Sequence, residues 1–458
     1  MNRAAGLSVA LGCALAARAQ QGEGFPSSVR GGVPGDPPSE TPLRLTLDDA
    51  IARGLAHNLA LALADRAVSE RRGDRLSALG DLLPDLHAAI GESRQKINLA
   101  AYGFSLPGTP SLVGPFDVFD ARLRATQPLL DLPSYHETRA RGAAVDAARA
   151  TWEDTRDVVV LVCGNLYLQA VAARSRIDAA EAEARTAETL RILAADREAA
   201  GTAAAIDLLR AEVEEANRRQ ALIAARNGFE KAKLALSRAI GLPLETAIEL
   251  HDPVPFAEVV APSPGDAVAS ALAARADVRA AQARVRSLEE ERRAASAERL
   301  PRLELHADYG AIGPTLDSSE TTYGVAAELS IPILARHASG KIAQADARLE
   351  AATAALADLR ARVAYEVRSA LLDVEAASER VDVARRTRDL AMEQLGQARD
   401  RFAAGVADNT EVVQAQQSVA MASEAAIESL YDHNVAKASL ARAMGHAYEA
   451  YAAGAARP

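Results

Sequence analysis

The chain has 458 residues, of which 49% are hydrophobic and only 4% aromatic, and its formal net charge is −10. This acidic balance, without a run of Lys and Arg, argues against a nucleic-acid partner and is typical of a solvated acidic surface. The sequence contains no His-Glu-x-x-His, paired-cysteine, Gly-x-Ser-x-Gly or phosphate-binding glycine motif, and its eight His residues never recur at i, i+4 spacing. We therefore expect no enzymatic activity, no metal site and no cofactor.

The N-terminus has the pattern of an export signal. An apolar stretch ends in a small-x-small cleavage pattern at Ala19, which predicts a signal peptide over residues 1–19. Lipidation of Cys13 is the alternative. Residues 20–44, rich in Gly, Pro and Ser, are predicted to form a flexible leader. After cleavage Cys163 is the remaining cysteine, and we expect it to pack inertly in a core.

The remainder of the chain is duplicated. Residues 46–91 match 263–308 at one constant offset, residues 119–241 match 323–445 at another, and 12 of the 41 positions from Gly201 to Gly241 are identical to their partners. A duplicated chain is expected to build a pseudo-symmetric structure. The predicted organisation is a signal peptide (1–19), flexible leader (20–44), first repeat (45–241), Pro-rich equatorial linker (242–262), second repeat (263–446) and disordered tail (447–458).

Each repeat is predicted to contain three helices. Capping boxes at Thr46–Asp49 and Ser263–Asp266 open helices of about 38 residues that end near Pro84 and Pro301. Longer helices over about 134–199 and 338–403 contain no internal proline, and helices of about 40 residues follow to Gly241 and Gly445. A helix of 66 residues is roughly 100 Å long. Apolar residues spaced by three and four predict side-by-side coiled packing rather than a compact globule.

Between the first and second helices of each repeat, the side chains alternate with period two, which predicts strands. The clearest stretches are 119–126, 303–309 and 323–331, and the stretch from Leu86 alternates more weakly. Each strand has one apolar and one polar face, the pattern of an outer-membrane barrel wall. An amphipathic sheet on an ordinary core is the alternative, but the helices leave no room for one. The expected lumen-facing residues are Asp120, Arg122, Arg124, Glu304, His306 and Asp308.

Four strands cannot close a barrel, and open edges in lipid would leave backbone groups unpaired. Three copies would supply 12 strands, whereas two would give a barrel too narrow for a channel. No stretch reaches about 18 continuous apolar residues, so no transmembrane helix is expected. The predicted fold class is mainly α with a small β part, a long α-helical barrel continuous with a transmembrane β-barrel.

The chain resembles the TolC-like outer-membrane efflux proteins over about residues 45–446. The features that carry this resemblance are Leu45-Thr-Leu-Asp-Asp-Ala-Ile51, the Leu-Pro pairs at 83–84 and 300–301, the strand ends Gln127-Pro-Leu and Ile331-Pro-Ile, and the Ala-Gly turns before Asp207 and Glu411. The resemblance implies a homotrimer in the cell outer membrane whose helical tunnel extends into the periplasm. It also implies a periplasmic adaptor (membrane fusion) protein and an inner-membrane pump of RND or ABC type.

The resemblance also implies a gate at the periplasmic tip, closed by inward coiling and by acidic residues after the turns. The matching positions are Glu411 and Asp207, followed three residues later by Gln414 and Arg210. Stabilisation of helix N-termini is the alternative role for the two acids. The expected adaptor-docking turns are formed by Gly201, Thr202, Gly405 and Val406.

The predicted function is a passive trans-periplasmic exit duct of a tripartite efflux pump or a type I secretion system. An exported structural coiled-coil or scaffold protein without a pore is the alternative. The sequence names neither the transported substrate nor the pump class.

Overall fold

A computed structural model describes residues 27–35, 41–103, 110–251, 256, 262–333, 336–406 and 409–448. The predicted signal peptide and Cys13 lie outside these residues. Within them the chain is mostly helical, with some strands. The helices are α1 (Leu47–His57), α2 (Leu59–Gly80), α3 (Leu132–Ala199), α4 (Ala205–Ala239), α5 (Pro264–Ala274), α6 (Ala276–Ala297), α7 (Arg336–Ala403) and α8 (Asn409–Ala443). The strands are β1 (Leu43–Leu45), β2 (Asp85–Asn98), β3 (Leu112–Leu130), β4 (Ile248–Leu250), β5 (Arg302–Gly313) and β6 (Glu320–Ser330).

The long helices occur in pairs of equal length. Helices α3 and α7 each have 68 residues, and α4 and α8 each have 35. Helix α1 begins with the predicted capping box, in which the Thr46 hydroxyl accepts from the Asp49 amide and the Asp49 carboxylate accepts from the Thr46 amide. Ser263 caps α5 in the same way through the Asp266 amide.

The two predicted 38-residue helices are each broken once, which corrects the sequence interpretation. Asn58 separates α1 from α2, and Arg275 separates α5 from α6, and both residues adopt an extended backbone. The Asn58 side chain accepts from the Ala60 amide and donates to the Ala239 carbonyl. The Asn58 side chain thus takes the place of helical hydrogen bonds. One of its partners, Ala239, is distant in sequence, so the local pattern does not predict the break.

The described chain divides into two compact units. The first comprises the described residues within 1–66, 150–278 and 358–458, and the second comprises those within 67–149 and 279–357. In the first unit, β1 and β4 form a short parallel pair that the sequence did not predict. The core beside this pair contains fully buried residues of α3 and α4, among them Val159, Cys163, Tyr167 and Leu236.

Cys163 lies in this core, as the sequence predicted. It is a free thiol in contact range of Gly54, and burial raises its pKa to about 12. Helix α3 also contains an 18-residue window with a mean hydropathy of 1.5, of which 61% is buried. A helix that supplies a protein core has the same composition as a membrane span, and Val159, Cys163 and Tyr167 of α3 belong to the core.

Two segments that composition marks as flexible have packed residues. In the predicted leader, Asn58 donates a hydrogen bond of 2.6 Å to the Val29 carbonyl, and a Cβ at Gly32 would lie 2.4 Å from the backbone nitrogen of Gly241. In the predicted tail, Ala447 is buried and the Tyr448 ring stacks under a guanidinium of α3. The small residues of the leader permit close backbone packing, so glycine content here does not indicate flexibility.

The second unit contains a four-stranded antiparallel sheet in the order β2-β3-β5-β6. The four stretches predicted as strands form it, and β3 is longer than its alternating stretch. The register pairs Arg122 with Ala89 on one side and with Gly310 on the other. It also pairs His306 with Ala326 of β6. Strands β2 and β6 are the edges of the sheet.

Candidate functional site: a two-faced sheet and a helical tip

The register of the sheet places the six predicted polar residues on one face. Asp120, Arg122 and Arg124 occupy alternate positions of β3, and Glu304, His306 and Asp308 occupy the opposing alternate positions of β5. The other face is mostly apolar and exposed, although the register also places Glu92, Arg94 and Asp117 on it. The exposed fraction is 81% for Tyr323, 78% for Ile90, 70% for Val325 and 63% for Tyr309. Exposed apolar area of this kind requires a covering of lipid or protein.

An ion cluster occupies the centre of the polar face. The Arg122 guanidinium donates to Asp120 at 2.7 Å and to Asp308 at 3.1 Å. Glycines on the neighbouring strands make room for it, since a Cβ at Gly310 would lie 2.8 Å from the Arg122 side chain and one at Gly324 would lie 2.4 Å from the Asp308 carboxylate. Close packing over glycine holds the three charges in one arrangement.

A second polar cluster surrounds His306. Its Nε2 lies 3.7 Å from a carboxylate oxygen of Glu304 and 3.7 Å from one of Glu328, and its Nδ1 lies 3.5 Å from the Thr126 hydroxyl. Arg124 is exposed on the same face, opposite Asp308. The sequence analysis did not single out Glu328, although the alternation of 323–331 places it on the polar face.

At the C-terminal ends of α3 and α7, the two predicted docking turns have the same geometry. Gly201 has φ +69° and Gly405 has φ +76°, the left-handed region that favours glycine. The Thr202 amide donates to the Arg197 carbonyl and the Val406 amide donates to the Arg401 carbonyl, each five residues back. These are the bonds of a Schellman motif, which satisfies the last carbonyls of α3 and α7.

Three contacts join the two turns to each other, and the sequence analysis found none of them. The Arg197 guanidinium donates to the Phe402 carbonyl and lies 4.7 Å from the centre of the Phe402 ring. Arg210 donates to the Thr410 hydroxyl at 3.1 Å. The buried Asn409 side chain donates to the carbonyl of Asp207 at 2.8 Å. We call these contacts the tip latch.

The predicted gate residues differ in their surroundings. The Asp207 side chain is only 15% exposed and lies 3.5 Å from Arg210. The Glu411 side chain is 43% exposed and lies 3.5 Å from Arg401. Gln414 is exposed. The structure therefore brings an arginine to each acid, and Glu411 keeps the larger contact with solvent.

A buried charge network surrounds the break between α5 and α6. The Arg275 guanidinium, 5% exposed, lies 2.6 Å from Asp277 and 2.6 Å from Glu366, and it donates to the Ala443 carbonyl at 3.4 Å. Burial alone would raise the pKa of Asp277, but the hydrogen bonds and charge of Arg275 hold it below its usual value. The break between α1 and α2 is formed instead by the neutral Asn58.

The comparisons with known proteins agree with this geometry. The family model of the outer membrane efflux proteins matches residues 50–242 and 267–446. The chain belongs to the outer membrane efflux protein family. It is similar to the pyoverdine export outer membrane protein OpmQ of Pseudomonas aeruginosa, with 26% identity over 90% of this chain and 87% of the relative. The OpmQ protein of Pseudomonas putida is 25% identical over 87% of this chain and 85% of its own length.

The fold is similar to that of solved channels. The Campylobacter jejuni CmeC outer membrane channel superposes with a TM-score of 0.78 at 17% identity, over 92% of each chain. The protein is thus a TolC-like transport protein of the outer membrane. Its relatives are channels rather than enzymes.

Proposed function

We propose that the protein is the outer-membrane channel of a tripartite efflux pump or type I secretion system, and that it forms a passive exit duct for substrates delivered from the inner membrane. The observation that carries this proposal is the two-faced sheet. Its apolar face is exposed, its polar face holds ordered ion clusters, and its two edge strands each have one neighbour among the described strands.

A single copy cannot place this sheet in lipid, because the outer edges of β2 and β6 would leave backbone groups unpaired at several kcal/mol each. Pairing of β6 with β2 of a neighbouring copy satisfies both edges at once. Three copies then close a 12-stranded barrel, in which Tyr309, Tyr323 and Val325 face lipid and the six predicted charged or ionisable residues face the lumen.

Two helices of the first unit carry unpartnered apolar side chains that fit a second copy. On α4, Val213 and Ile223 are exposed, and on α7, Leu372 and Val383 are exposed. The tip latch joins α3 to α7 and α4 to α8 near the two turns. Ile223 on α4 and Val383 on α7 are both about 30 Å along their helices from those turns at 1.5 Å per residue. We expect α4 of one copy to pack against α7 of the next at this level.

Disulfide crosslinking tests this trimer. In a background with Cys163→Ala, the pair Ile223→Cys and Val383→Cys should produce a ladder of dimers and trimers on a non-reducing gel. Each single variant is the matched control and should remain monomeric on that gel. A monomeric double variant in outer-membrane fractions would refute this packing of copies.

The tip latch and the acids beside it are proposed to form the periplasmic gate. Glu411 would supply three carboxylates, one from each copy, near the trimer axis, with Asp207 and Gln414 beside them. A ring of carboxylates attracts cations and repels anions. The turns formed by Gly201, Thr202, Gly405 and Val406 lie at the helix ends and are proposed to receive the adaptor protein.

Export is the direction of transport that the relatives support, since both OpmQ proteins are named for the export of pyoverdine. The inner-membrane partner would be a pump of RND or ABC type, reached through a periplasmic adaptor. A photo-crosslinking residue at Val406 should capture the adaptor in intact cells, whereas one at the exposed Leu372, 31 residues from the end of α7, should capture another copy of the channel. Failure to capture the adaptor at Val406 would remove the docking role of that turn.

Ion conduction distinguishes the proposed channel from the alternative, a scaffold protein without a pore. The purified protein should conduct ions in a planar lipid bilayer and should require detergent to remain in solution. A protein that is soluble without detergent and does not conduct would refute the channel function.

A further inference from the structure

His306 and the carboxylates of Glu304 and Glu328 form a cluster whose net charge depends on whether the imidazole binds a proton. Glu304 and Glu328 are direct cross-strand partners on β5 and β6, a placement in which two like charges repel. His306 lies 3.7 Å from both carboxylates. Arg122 is engaged by Asp120 and Asp308 instead.

Among the residues that the structure describes, no Lys or Arg side chain forms an ion pair with Glu304 or Glu328. Strand β3 presents Thr126 toward His306, and the charged or titratable groups that share the polar face around it are Asp85, His87, Arg124, Arg302, Glu304, Asp308 and Glu328. Arg302 lies 3.8 Å from Asp131. Arg124 pairs in register with Asp308 rather than with either glutamate. His87 lies 3.9 Å from Asp85 on β2, the strand that would pair with β6 of the neighbouring copy in the proposed trimer, so the experiment below also replaces His87 by glutamine.

The geometry points to His306 as a proton-sensitive determinant of the charge in the channel lumen. Histidine changes its charge between about pH 5 and 8, and the cluster is partly exposed to solvent, so protons reach it. At alkaline pH the cluster of each copy carries two negative charges, and protonation of His306 reduces this to one. Across a trimer the lumen at this level would change by three charges. This inference rests on the proposed function, because it requires the polar face to line water.

A local electrostatic probe can be placed beside His306. Ala326 is its direct cross-strand partner on β6 and is exposed. In a background in which Cys13 and Cys163 are replaced by alanine and His87 by glutamine, Ala326→Cys can be reacted with a cationic and with an anionic methanethiosulfonate reagent. The ratio of the two rates cancels the pH dependence of the thiolate itself and reports the local potential.

The expected change is large at low ionic strength. A unit charge about 6 Å away in water changes the rate of a singly charged reagent about threefold, and therefore the cationic-to-anionic ratio about tenfold. The ratio should fall about tenfold from pH 8 to pH 5.5 in trimers reconstituted in lipid. With His306→Gln the ratio should stay near its pH 8 value, and with His306→Lys it should stay near its pH 5.5 value.

His337→Gln is the matched control, because His337 is an exposed histidine on α7 rather than on the sheet. It should leave the pH response at Ala326→Cys intact. An unchanged pH response in His306→Gln, or a pH-independent ratio in the parent, would overturn the role of His306 while leaving the channel function in place. Failure of both water-soluble reagents to reach Ala326→Cys would instead refute the water-lined face and the proposed function with it.

Discussion

The tip latch gives the sharpest test of the gate, through Arg197→Ala. This substitution removes the charged hydrogen bond to the Phe402 carbonyl and the cation–π contact with its ring. The carbonyl still accepts from the Gly405 amide at 3.0 Å, so no buried acceptor is left without a partner. A charged hydrogen bond contributes about 1.5–3 kcal/mol and a partly exposed cation–π contact about 0.5–1 kcal/mol, and solvent reduces both.

A net loss of about 2 kcal/mol per chain corresponds to a shift of about 30-fold in the equilibrium between joined and separated turns. Single-channel recording in planar bilayers should therefore show a larger conductance or a larger open fraction for Arg197→Ala. Arg191→Ala is the matched control, because Arg191 pairs with Glu215 of the same hairpin at 2.9 Å and Glu215 retains its partner Arg219. Equal conductance in both variants would show that the latch does not hold the gate.

Three further predictions follow from the remaining charges. Glu411→Ala should weaken block by multivalent cations about tenfold, or ~1.4 kcal/mol. Asp207→Asn should have a smaller effect because the Asp207 side chain is less exposed to solvent than that of Glu411. Equal effects in bilayer recordings would contradict this ranking. Arg275→Ala should lower the free energy of unfolding by about 2 kcal/mol, measured by denaturant titration, because charged hydrogen bonds of the buried guanidinium are lost while Asp277 and Glu366 remain partly exposed to water. Asp277, whose pKa is lowered in the folded protein, should stabilise it above about pH 4, and this contribution should be lost as the pH falls further. Asp277→Asn should flatten the acid limb of the stability profile, and an unchanged limb would contradict the assignment.

The faces of the sheet could be predicted from the sequence because period two is a local property. The alternation alone predicted that Asp120, Arg122 and Arg124 lie on one face of the sheet, and the polar residues of β5 lie on the same face. The equal lengths of the long helices were likewise visible, since proline-free segments end at glycines whose positive φ only glycine adopts readily.

The helix breaks and the tip latch could not be predicted, because their partners are distant in sequence. Asn58 terminates α1 through contacts with Val29 and Ala239, and Arg197 meets Phe402 across 205 residues. A side chain that replaces helical hydrogen bonds has no periodic signature. The packing of the predicted leader was missed for a different reason. Glycine is common both in flexible segments and where two backbones pack closely, so composition does not distinguish the two.

The central claim is that copies of this chain complete one another's sheets in lipid. The most direct measurement is the cryo-EM structure of the mature protein in lipid nanodiscs. Three copies should be present, with β6 of each hydrogen-bonded to β2 of the next, Tyr309 and Tyr323 toward lipid, and His306 toward water. A particle with free strand edges, or one whose apolar face is covered by protein outside the membrane, would contradict the account.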